Sequence, residues 1–372
     1  MNAQNIDNKP RVQKDTKRKI RVEFERSPLK DRLKAKFLSL FFLKKVVWYL
    51  FRLILLIGIS YIVLFPFFSK IAGSFMAPED FIDATVRLIP KNFTLDIYKA
   101  IWEENEYLSA FFNTLTLSLS TALIQTFICC FVAYGLAKFK FKGNGLVFLA
   151  VIFSLAIPHQ TIQLAMRMHF YDFDILGILH LLNGSGIDFY GIEYNNAFLS
   201  TWDIIPKSDM FRFASGGMNL LNSYWPLIIM SLGGIAFKNG LYIFMLRQFF
   251  RGVPDELEES AYIDGSGIMR TFFTIILPLS VPMMITVFLF AFSWQWMDDF
   301  YAGLFFSKDA MLMPNIIKIP DSLTTNYAGT TLYEAAIRNT CGIMIIIPLI
   351  IMYLFCQKYL VQGIERSGLT AD

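Results

Sequence analysis

In this 372-residue chain, the residues that commonly form disulfides, metal sites or nucleotide sites do not have the spacing that such sites need. The four cysteines lie in long apolar stretches, which indicates neither a disulfide framework nor a thiolate metal site: Cys129, Cys130, Cys341 and Cys356. The three histidines lack metal-ligand spacing such as HExxH: His159, His169 and His180. No Gly-Lys dipeptide occurs, which excludes a phosphate-binding loop of the Walker A type. We therefore expect no cofactor or metal in this chain, and any nucleotide would have to be bound by a partner.

The carboxylates are also poorly placed for catalysis or for ion coupling. A membrane-embedded glycosyltransferase would need an acidic cluster near the membrane interface, and Asp298-Asp299 is the only candidate pair. An ion-coupled secondary transporter would use intramembrane carboxylates and internal repeats. No long apolar run here contains Asp or Glu, and no convincing repeat is visible. The chain is not expected to be an enzyme, and the ion-coupled transporter stays the alternative function.

The elements that must carry these residues are membrane helices. Hydrophobic residues make up 55% of the chain and charged residues only 17%, whereas a soluble domain carries roughly 25% charged residues. Six long runs contain no charged residue, and each is near or above the roughly 17 to 25 residues that span a bilayer: 53–69, 107–137, 143–166, 213–237, 271–297 and 339–357. The sequence predicts an all-α membrane protein with six transmembrane helices.

The charge distribution predicts how these spans are oriented. With a cytoplasmic N-terminus, the inner segments carry a net charge of +11 and the outer segments a net charge of −8. Six basic residues close to the first span satisfy the positive-inside rule: Lys30, Arg32, Lys34, Lys36, Lys44 and Lys45. We therefore expect a multi-pass protein of the cell membrane with both termini in the cytoplasm.

The chain divides into a basic cytoplasmic tail, residues 1–45, and a six-span domain, residues 46–372. Within the tail, residues 33–45 interleave lysines with Leu and Phe. This pattern fits a helix in the inner membrane interface, and it fits equally well a simple continuation into the first span. On the outer side, residues 169–217 mix aromatic residues with Asp, Gly and Asn and contain no spanning run. We expect them to form an extracellular insertion.

The inner connection between the fourth and fifth runs predicts a helix, a glycine turn and a second helix. Pro254 is followed by four carboxylates up to Glu259, which fits a helix start because carboxylates favour the positive end of the helix dipole. Asp264-Gly265 predicts the end of this helix, since glycine adopts a left-handed cap without a Cβ clash. Ser266 is then expected to cap the second helix. Such a projection at the inner face has the shape of a docking element.

The same connection resembles the EAA motif in membrane subunits of binding-protein-dependent ABC importers. That motif reads EAAxxDGA, with a phenylalanine and then a proline downstream. The matching residues here are Glu259, Ser260, Ala261, Asp264, Gly265, Ser266, Phe272 and Pro278. Ser260 and Ser266 replace the family's usual alanines with another small residue. The flanking segments FMLRQFFRGVPDELEES, WMDDF, IPHQT and YLVQGIERSGLT resemble the carbohydrate branch, whose maltose-permease-like subunits have six spans.

The resemblance covers about residues 46–166 and 218–370, and it implies the type I permease fold of ABC importers. It implies that the eight matching residues form a loop that docks in a groove of a cytoplasmic ATPase, which binds the ATP. It also implies a second permease subunit, a pair of ATP-binding subunits and an extracellular solute-binding protein. The implied substrate is a sugar or an oligosaccharide, and no nucleic-acid partner is expected.

Six polar or aromatic residues are candidates for lining a translocation path. Aromatic faces and polar groups that reach hydroxyls commonly hold sugars. The candidates are Gln160, Gln163, Lys238, Trp294, Gln295 and Trp296. An intramembrane lysine such as Lys238 generally faces a helix bundle or a wet cavity, although it can also snorkel toward the interface. The alternative for the other candidates is helix-packing hydrogen bonds or an interfacial aromatic belt.

Overall fold

The computed structural model describes residues 40–174, 218–236, 238–307, 310–324 and 330–368. Residues 1–39 of the predicted tail and residues 175–217 of the predicted insertion lie outside the described residues. Within the described ranges the regular structure is helical, with two isolated β-bridges. The predicted all-α class is confirmed.

The described helices follow one another with short connections. In chain order they are α1 (Leu40–Gly73), α2 (Asp96–Glu104), α3 (Tyr107–Lys138), α4 (Asn144–Ala156), α5 (Gln163–Tyr171), α6 (Trp225–Leu232), α7 (Asn239–Arg251), α8 (Glu256–Ile263), α9 (Ile268–Trp296), α10 (Phe300–Phe305) and α11 (Thr330–Gly368). Short 3-10 turns lie at Pro78–Phe81, His159–Ile162, Met313–Ile316 and Asp321–Leu323.

Among the described residues, four helices are long and apolar enough to cross a membrane: Lys44–Gly73, Tyr107–Lys138, Ile268–Trp296 and Thr331–Val361. A fifth span arises if α4 and the segment His159–Tyr171, which meet at a bend of 91°, are taken together. Within the predicted fourth run, 213–237, the described helix is the short α6, and the next helix, α7, begins after the run at Asn239. Between them the backbone turns through positive φ at Gly234 (+69°) and Lys238 (+66°). The six-span count is therefore not confirmed and stays a prediction.

The chain divides into two compact units, Met1–Pro66 and Phe67–Asp372. The described part of the first unit belongs to α1, which is apolar enough to span a membrane from Lys44 onward. The second unit has its own hydrophobic core, to which α3, α7, α9 and α11 contribute buried side chains.

Helix α3 is central to the second unit and packs against α6, α7 and α9. Small buried residues such as Ala122 and Cys129 allow the neighbouring helices to approach closely. The buried hydroxyl groups of Thr121 and Thr126 donate to the carbonyls of Leu117 and Ala122 at 2.8 and 2.7 Å. Because a bilayer offers no water to polar groups, these bonds within the helix keep α3 compatible with a membrane.

Helix α9 contains a wide turn near its N-terminal end. Phe272–Ile276 form a π-helical turn shortly before Pro278. Proline has no N–H group and its ring clashes with the carbonyl four residues earlier, so a regular α-turn cannot be completed there. Beyond this turn, α9 packs on α3 and α11. At its far end, the Trp296 indole N–H donates to the Ile345 carbonyl at 3.0 Å.

Candidate functional site

The inner connection folds as the predicted helix–glycine–helix element, residues 254–278. Helix α8 begins at Glu256, and the amides of Glu258 and Glu259 donate to the Asp255 carbonyl at 3.0 Å. Carboxylates occupy the first turn of α8, where the partial positive charge of the helix dipole favours them. The acidic start that the sequence predicted is thus present.

A Schellman motif ends α8. The Ser266 amide donates to the Ala261 carbonyl at 2.9 Å, and the Gly265 amide donates to the Tyr262 carbonyl at 3.0 Å. Gly265 has a φ of +80°, which lies in the left-handed region. A Cβ atom added there would meet nothing within 4 Å, so the demand for glycine is conformational and not steric. The N-cap of α9 is Gly267, one residue beyond the predicted Ser266.

Apolar side chains project from both halves of this element. The exposed fraction is 87% for Ile263 and 62% for Met269. The exposed apolar surface of the element consists of Leu257, Tyr262, Ile263, Ile268, Met269 and Phe273. Glu259 and Asp264 on the same helix are exposed as well. Apolar side chains rimmed by charges are typical of a protein contact surface.

The buried side of the element is fixed to α3. Phe272 is 1% exposed, and its ring centroid lies 4.9 Å from that of Phe131 and 4.8 Å from that of Tyr134. Ala261 is buried as well. The element is therefore an anchored projection whose movement would be passed to α3 and α9.

An ion pair also holds the start of α8 against the C-terminal end of α3. Lys138 Nζ lies 2.6 Å from Asp255 Oδ1 and donates to the Val253 carbonyl, also at 2.6 Å. The Lys138 side chain is only 6% exposed. The hydrogen bond from Lys138 and its charge lower the pKa of Asp255. No sequence pattern distinguished Lys138 from the other basic residues of its turn.

All eight residues of the predicted coupling loop lie on this element. Five are exposed at its surface: Glu259, Ser260, Asp264, Gly265 and Pro278. Ala261 and Phe272 are buried anchors, Ser266 is half-buried within the cap, Gly265 supplies the left-handed turn, and Pro278 follows the π-helical turn. The structure thus brings the predicted set together on one continuous segment.

A second feature is a cavity of about 690 Å³ among the apolar helices. It lies between the bend separating α4 from α5 and the break separating α6 from α7. Close packing holds the two sides together, since a Cβ at Gly240 would lie 2.9 Å from the Val151 carbonyl oxygen. Of the predicted lining residues, Gln160 and Lys238 border the cavity. Asn239 borders it too, is 1% exposed, and has no hydrogen-bond partner among the described residues for its side-chain atoms.

A cation and an aromatic ring meet beside this cavity. Lys238 Nζ lies 4.3 Å from the ring centroid of Trp294, a separation at which the cation is attracted to the ring. On the cavity wall, His159 Nδ1 shares a hydrogen bond of 2.8 Å with the Tyr301 hydroxyl. Trp294 thus joins Gln160 and Lys238 as a predicted lining residue that the structure places in this region.

The other three predicted lining residues lie elsewhere. Gln163 is exposed at the start of α5. Gln295 borders a separate and much smaller void. Trp296 is completely buried in the core. Their part in a translocation path remains a prediction.

In the acidic pair after α9, Asp298-Asp299, the first carboxylate has a structural role. The Asp298 carboxylate accepts hydrogen bonds from the amides of Tyr301 and Ala302 at 3.1 and 3.2 Å, at the start of α10. Burial raises the pKa of Asp298 to about 6, although these hydrogen bonds oppose the shift. Asp299 is exposed. The pair therefore explains the start of a helix better than it explains a catalytic site.

Comparison with known families identifies the class of protein. The family model described as "binding-protein-dependent transport system inner membrane component" matches residues 108–366. The chain belongs to this family. The matched range contains both the helix–glycine–helix element and the cavity. The chain is therefore a multi-pass transport permease subunit and not an enzyme, and the ion-coupled alternative has no support.

Individual relatives of the permease agree with this assignment. Protein LplC of Bacillus subtilis (strain 168) is 28% identical over 317 residues, which cover 82% of the permease and 89% of LplC. The galactooligosaccharides transport system permease protein GanQ of the same organism is 25% identical over 334 residues, covering 87% and 96%. The permease also matches a chain in the crystal structure of a bacterial ABC transporter involved in the import of alginate, an acidic polysaccharide. The TM-score is 0.59 at 18% identity, with coverage of 85% and 97%. This last likeness shows the fold.

Proposed function

We propose that this permease imports a sugar or an oligosaccharide delivered by an extracellular solute-binding protein. Its assembly contains a second permease subunit and two ATP-binding subunits in the cytoplasm. GanQ, whose name assigns it to galactooligosaccharide transport, supports the substrate class. Both termini are cytoplasmic in this proposal, as the charge asymmetry suggests. Residues 169–217 form an extracellular insertion within the six-span domain.

The observation that carries the proposal is the exposed apolar surface of the helix–glycine–helix element. Leaving a side chain such as Ile263 87% exposed is unfavourable in water, and a partner that covers it removes this cost. The chain has no phosphate-binding loop of its own, so the energy of ATP must reach it through a contact. In this proposal the helix–glycine–helix element forms the contact with the ATPase: its exposed apolar surface and Glu259, Ser260 and Asp264 face the partner, while Ala261 and Phe272 anchor the element.

The anchors of the element provide the path for coupling. When the two ATPase subunits close on ATP, each element moves with its ATPase. Phe272 passes this movement to Phe131 and Tyr134 on α3, while α9 continues from the element to the far side of the helical core. Nucleotide binding then favours the outward-facing arrangement of the helices, and hydrolysis restores the inward-facing one.

The cavity between the broken helices lies on the proposed sugar path. Gln160 and Asn239 offer amide groups that can bond hydroxyls, and the Trp294 ring, held against Lys238, offers an apolar face. The cavity requires no metal or cofactor for this role. In the same proposal, Gln163, Gln295 and Trp296 contact the sugar when the helices rearrange.

Stimulated ATP hydrolysis tests the proposal. The permease is purified with its partner subunits, placed in nanodiscs and mixed with binding protein loaded with each member of a glycan panel. Hydrolysis should rise above the rate with unloaded binding protein for one class of sugar or oligosaccharide. A complex stimulated equally by loaded and unloaded binding protein, or only by a substrate that is not a carbohydrate, would contradict the proposed substrate class.

A further inference from the structure

A basic cleft of about 510 Å³ lies at the inner ends of α3 and α7. It is separate from the exposed apolar surface of the element. Four cationic side chains line it: Lys140, Lys142, Arg247 and Arg251. No carboxylate is among its described lining residues. The cleft therefore concentrates positive charge.

The walls of the basic cleft are built before any ligand binds. Asn144 Nδ2 donates to the Phe139 carbonyl at 2.9 Å and fastens the turn between α3 and α4. Arg247 Nε donates to the Leu136 carbonyl at 3.3 Å, and its guanidinium lies 3.8 Å from the Phe148 ring centroid. Arg247 is thus held in place by a hydrogen bond and by a ring.

The positive charges of this cleft repel one another. Arg247 and Arg251 lie one turn apart on α7 and are close enough to interact electrostatically, an arrangement that destabilises an isolated helix. Among the described residues, none of the four cations forms a salt bridge. The nearby Asp255 carboxylate is already bound to Lys138. An anion from outside the chain would relieve this repulsion.

Apolar side chains beside the cations indicate the kind of anion. Phe139 and Phe141 line the cleft and are 39% and 47% exposed, and Leu146 on the first turn of α4 is 72% exposed. Cations next to exposed apolar groups match a ligand with a charged head and an apolar tail. A free anion or an acidic protein surface would satisfy the charges and leave these side chains uncovered.

We infer that the basic cleft binds the headgroup phosphate of an anionic phospholipid in the inner leaflet. The guanidinium groups of Arg247 and Arg251 bind the phosphate oxygens, Lys140 and Lys142 add charge from the turn, and the acyl chains lie along Phe139 and Phe141. This site goes beyond the proposed sugar transport. It rests on that proposal only for the orientation that puts the cleft on the cytoplasmic side.

Lipid titration monitored by native mass spectrometry tests this site without measuring transport. The assembled complex is titrated with dioleoyl phosphatidylglycerol and, separately, with dioleoyl phosphatidylcholine. The wild type should prefer phosphatidylglycerol, and Lys142→Gln/Arg251→Gln should lower that preference at least about tenfold, because each basic residue near the membrane surface contributes to the attraction. Both side chains are exposed, so the change should leave the fold intact.

Two matched variants make the result specific. Lys44→Gln/Lys45→Gln removes two exposed cations near the inner end of α1, outside the cleft, and should keep the preference. Lys142→Arg/Arg251→Lys keeps the cleft's charge and should keep it too. Equal losses in the cleft and control variants would overturn the site. Full competition by inorganic phosphate would reassign it to a free anion. A preference that is seen with the permease subunits alone but is absent in the assembled complex with its ATPase subunits would reassign the cleft to a protein contact.

Discussion

The helix–glycine–helix element and the cavity depend on glycine for opposite reasons. In the element, Gly265 has a φ of +80° and open space around the position of a Cβ. At the cavity, Gly240 has no positive φ, but a Cβ would lie 2.9 Å from backbone and side-chain atoms of α4. The first glycine shapes a projection that must meet a partner, and the second permits two broken helices to pack together. A coupling surface and a packing joint therefore fail in different ways when they are altered.

The largest effect is expected from changing the conformation of the projection. Gly265→Val should nearly abolish uptake at normal membrane abundance, because a left-handed backbone costs a non-glycine residue roughly 1 to 2 kcal/mol. The displaced α8 would then no longer fit the proposed groove of the ATPase. Gly267→Val is the matched control, since Gly267 has an ordinary φ of −78° and equal space. Uptake and ATPase activity of the reconstituted complex measure both variants. Equal loss in both would show that bulk, and not backbone conformation, is decisive.

Placing a charge on the exposed apolar surface should weaken assembly without unfolding the permease. Ile263→Asp removes an apolar contact, and we expect about a thirtyfold loss of ATPase affinity, as burying a side chain of this size contributes about 2 kcal/mol. Ile89→Asp is the control, because Ile89 is 82% exposed in the connection between α1 and α2, outside the element. Co-purification of the ATPase with each variant gives the measurement. Unchanged co-purification of Ile263→Asp would remove this surface from the interface.

Crowding the packing joint should damage the fold first and transport second. Gly240→Ala forces Val151 and Ser154 on α4 to move, and overpacking of this kind costs about 1 to 3 kcal/mol. Gly265→Ala meets no atom within 4 Å and should lower coupling more than thermal stability. Thermal unfolding and coupled ATPase activity, measured on both variants, should therefore rank them in opposite order. If the same variant were the more impaired in both thermal stability and coupled ATPase activity, the proposed difference between Gly240 and Gly265 would be contradicted.

Removing the charge beside the cavity should alter affinity and preserve coupling. Lys238→Met should retain ATP-driven uptake with a few-fold change in the apparent affinity for sugar, because an ion–ring contact contributes only about 0.5 to 2 kcal/mol. Lys99→Met, on α2 and away from the cavity lining, is the control. Concentration dependence of uptake is the measurement. Complete loss of uptake in Lys238→Met, with the complex still assembled, would contradict a lining role.

The smallest effect concerns the carboxylate at the start of α10. The pKa of Asp298 is raised from 3.8 to about 6, so its contribution to stability is fully present below pH 3.8 and is lost as the pH rises through about 6. The difference in unfolding temperature between wild type and Asp298→Asn should therefore favour the wild type most at the acidic end. Asp299→Asn, at the exposed neighbour, should show no such trend. A constant difference for Asp298→Asn from pH 4 to 7 would contradict the shift.

The sequence predicted the element more completely than the cavity, for a physical reason. The helix start, the glycine cap and the second helix are local features. The residues next to Gly265 are enough to predict its left-handed conformation. The break between α6 and α7 follows from Gly233-Gly234 near the end of the fourth uncharged run and from Lys238-Asn239-Gly240 directly after it. The absence of charge in a run does not reveal this turn-forming composition.

Contacts between distant segments were the hardest to foresee. Lys138 meets Asp255 across 117 positions, and only the packing of the helices brings the two side chains together. Trp294 and Trp296 lie two positions apart in the same apolar run, yet Trp296 is buried in the core and the Trp294 ring lies against Lys238. A periodic hydrophobic pattern cannot show that Lys138 contacts Asp255 or that Trp294 contacts Lys238. The position and rotation of each helix depend on the packing of the whole bundle.

Sugar uptake into reconstituted vesicles, with ATP and ion gradients supplied separately, tests the central claim most directly. The chain has no Walker A loop, and none of its six long uncharged runs contains a carboxylate. In the proposed mechanism the energy therefore comes from the ATPase through the helix–glycine–helix element. Vesicles containing the full complex and loaded binding protein should accumulate sugar with ATP and no gradient, and Gly265→Val vesicles should not. Accumulation driven by a proton or sodium gradient without ATP would contradict the account.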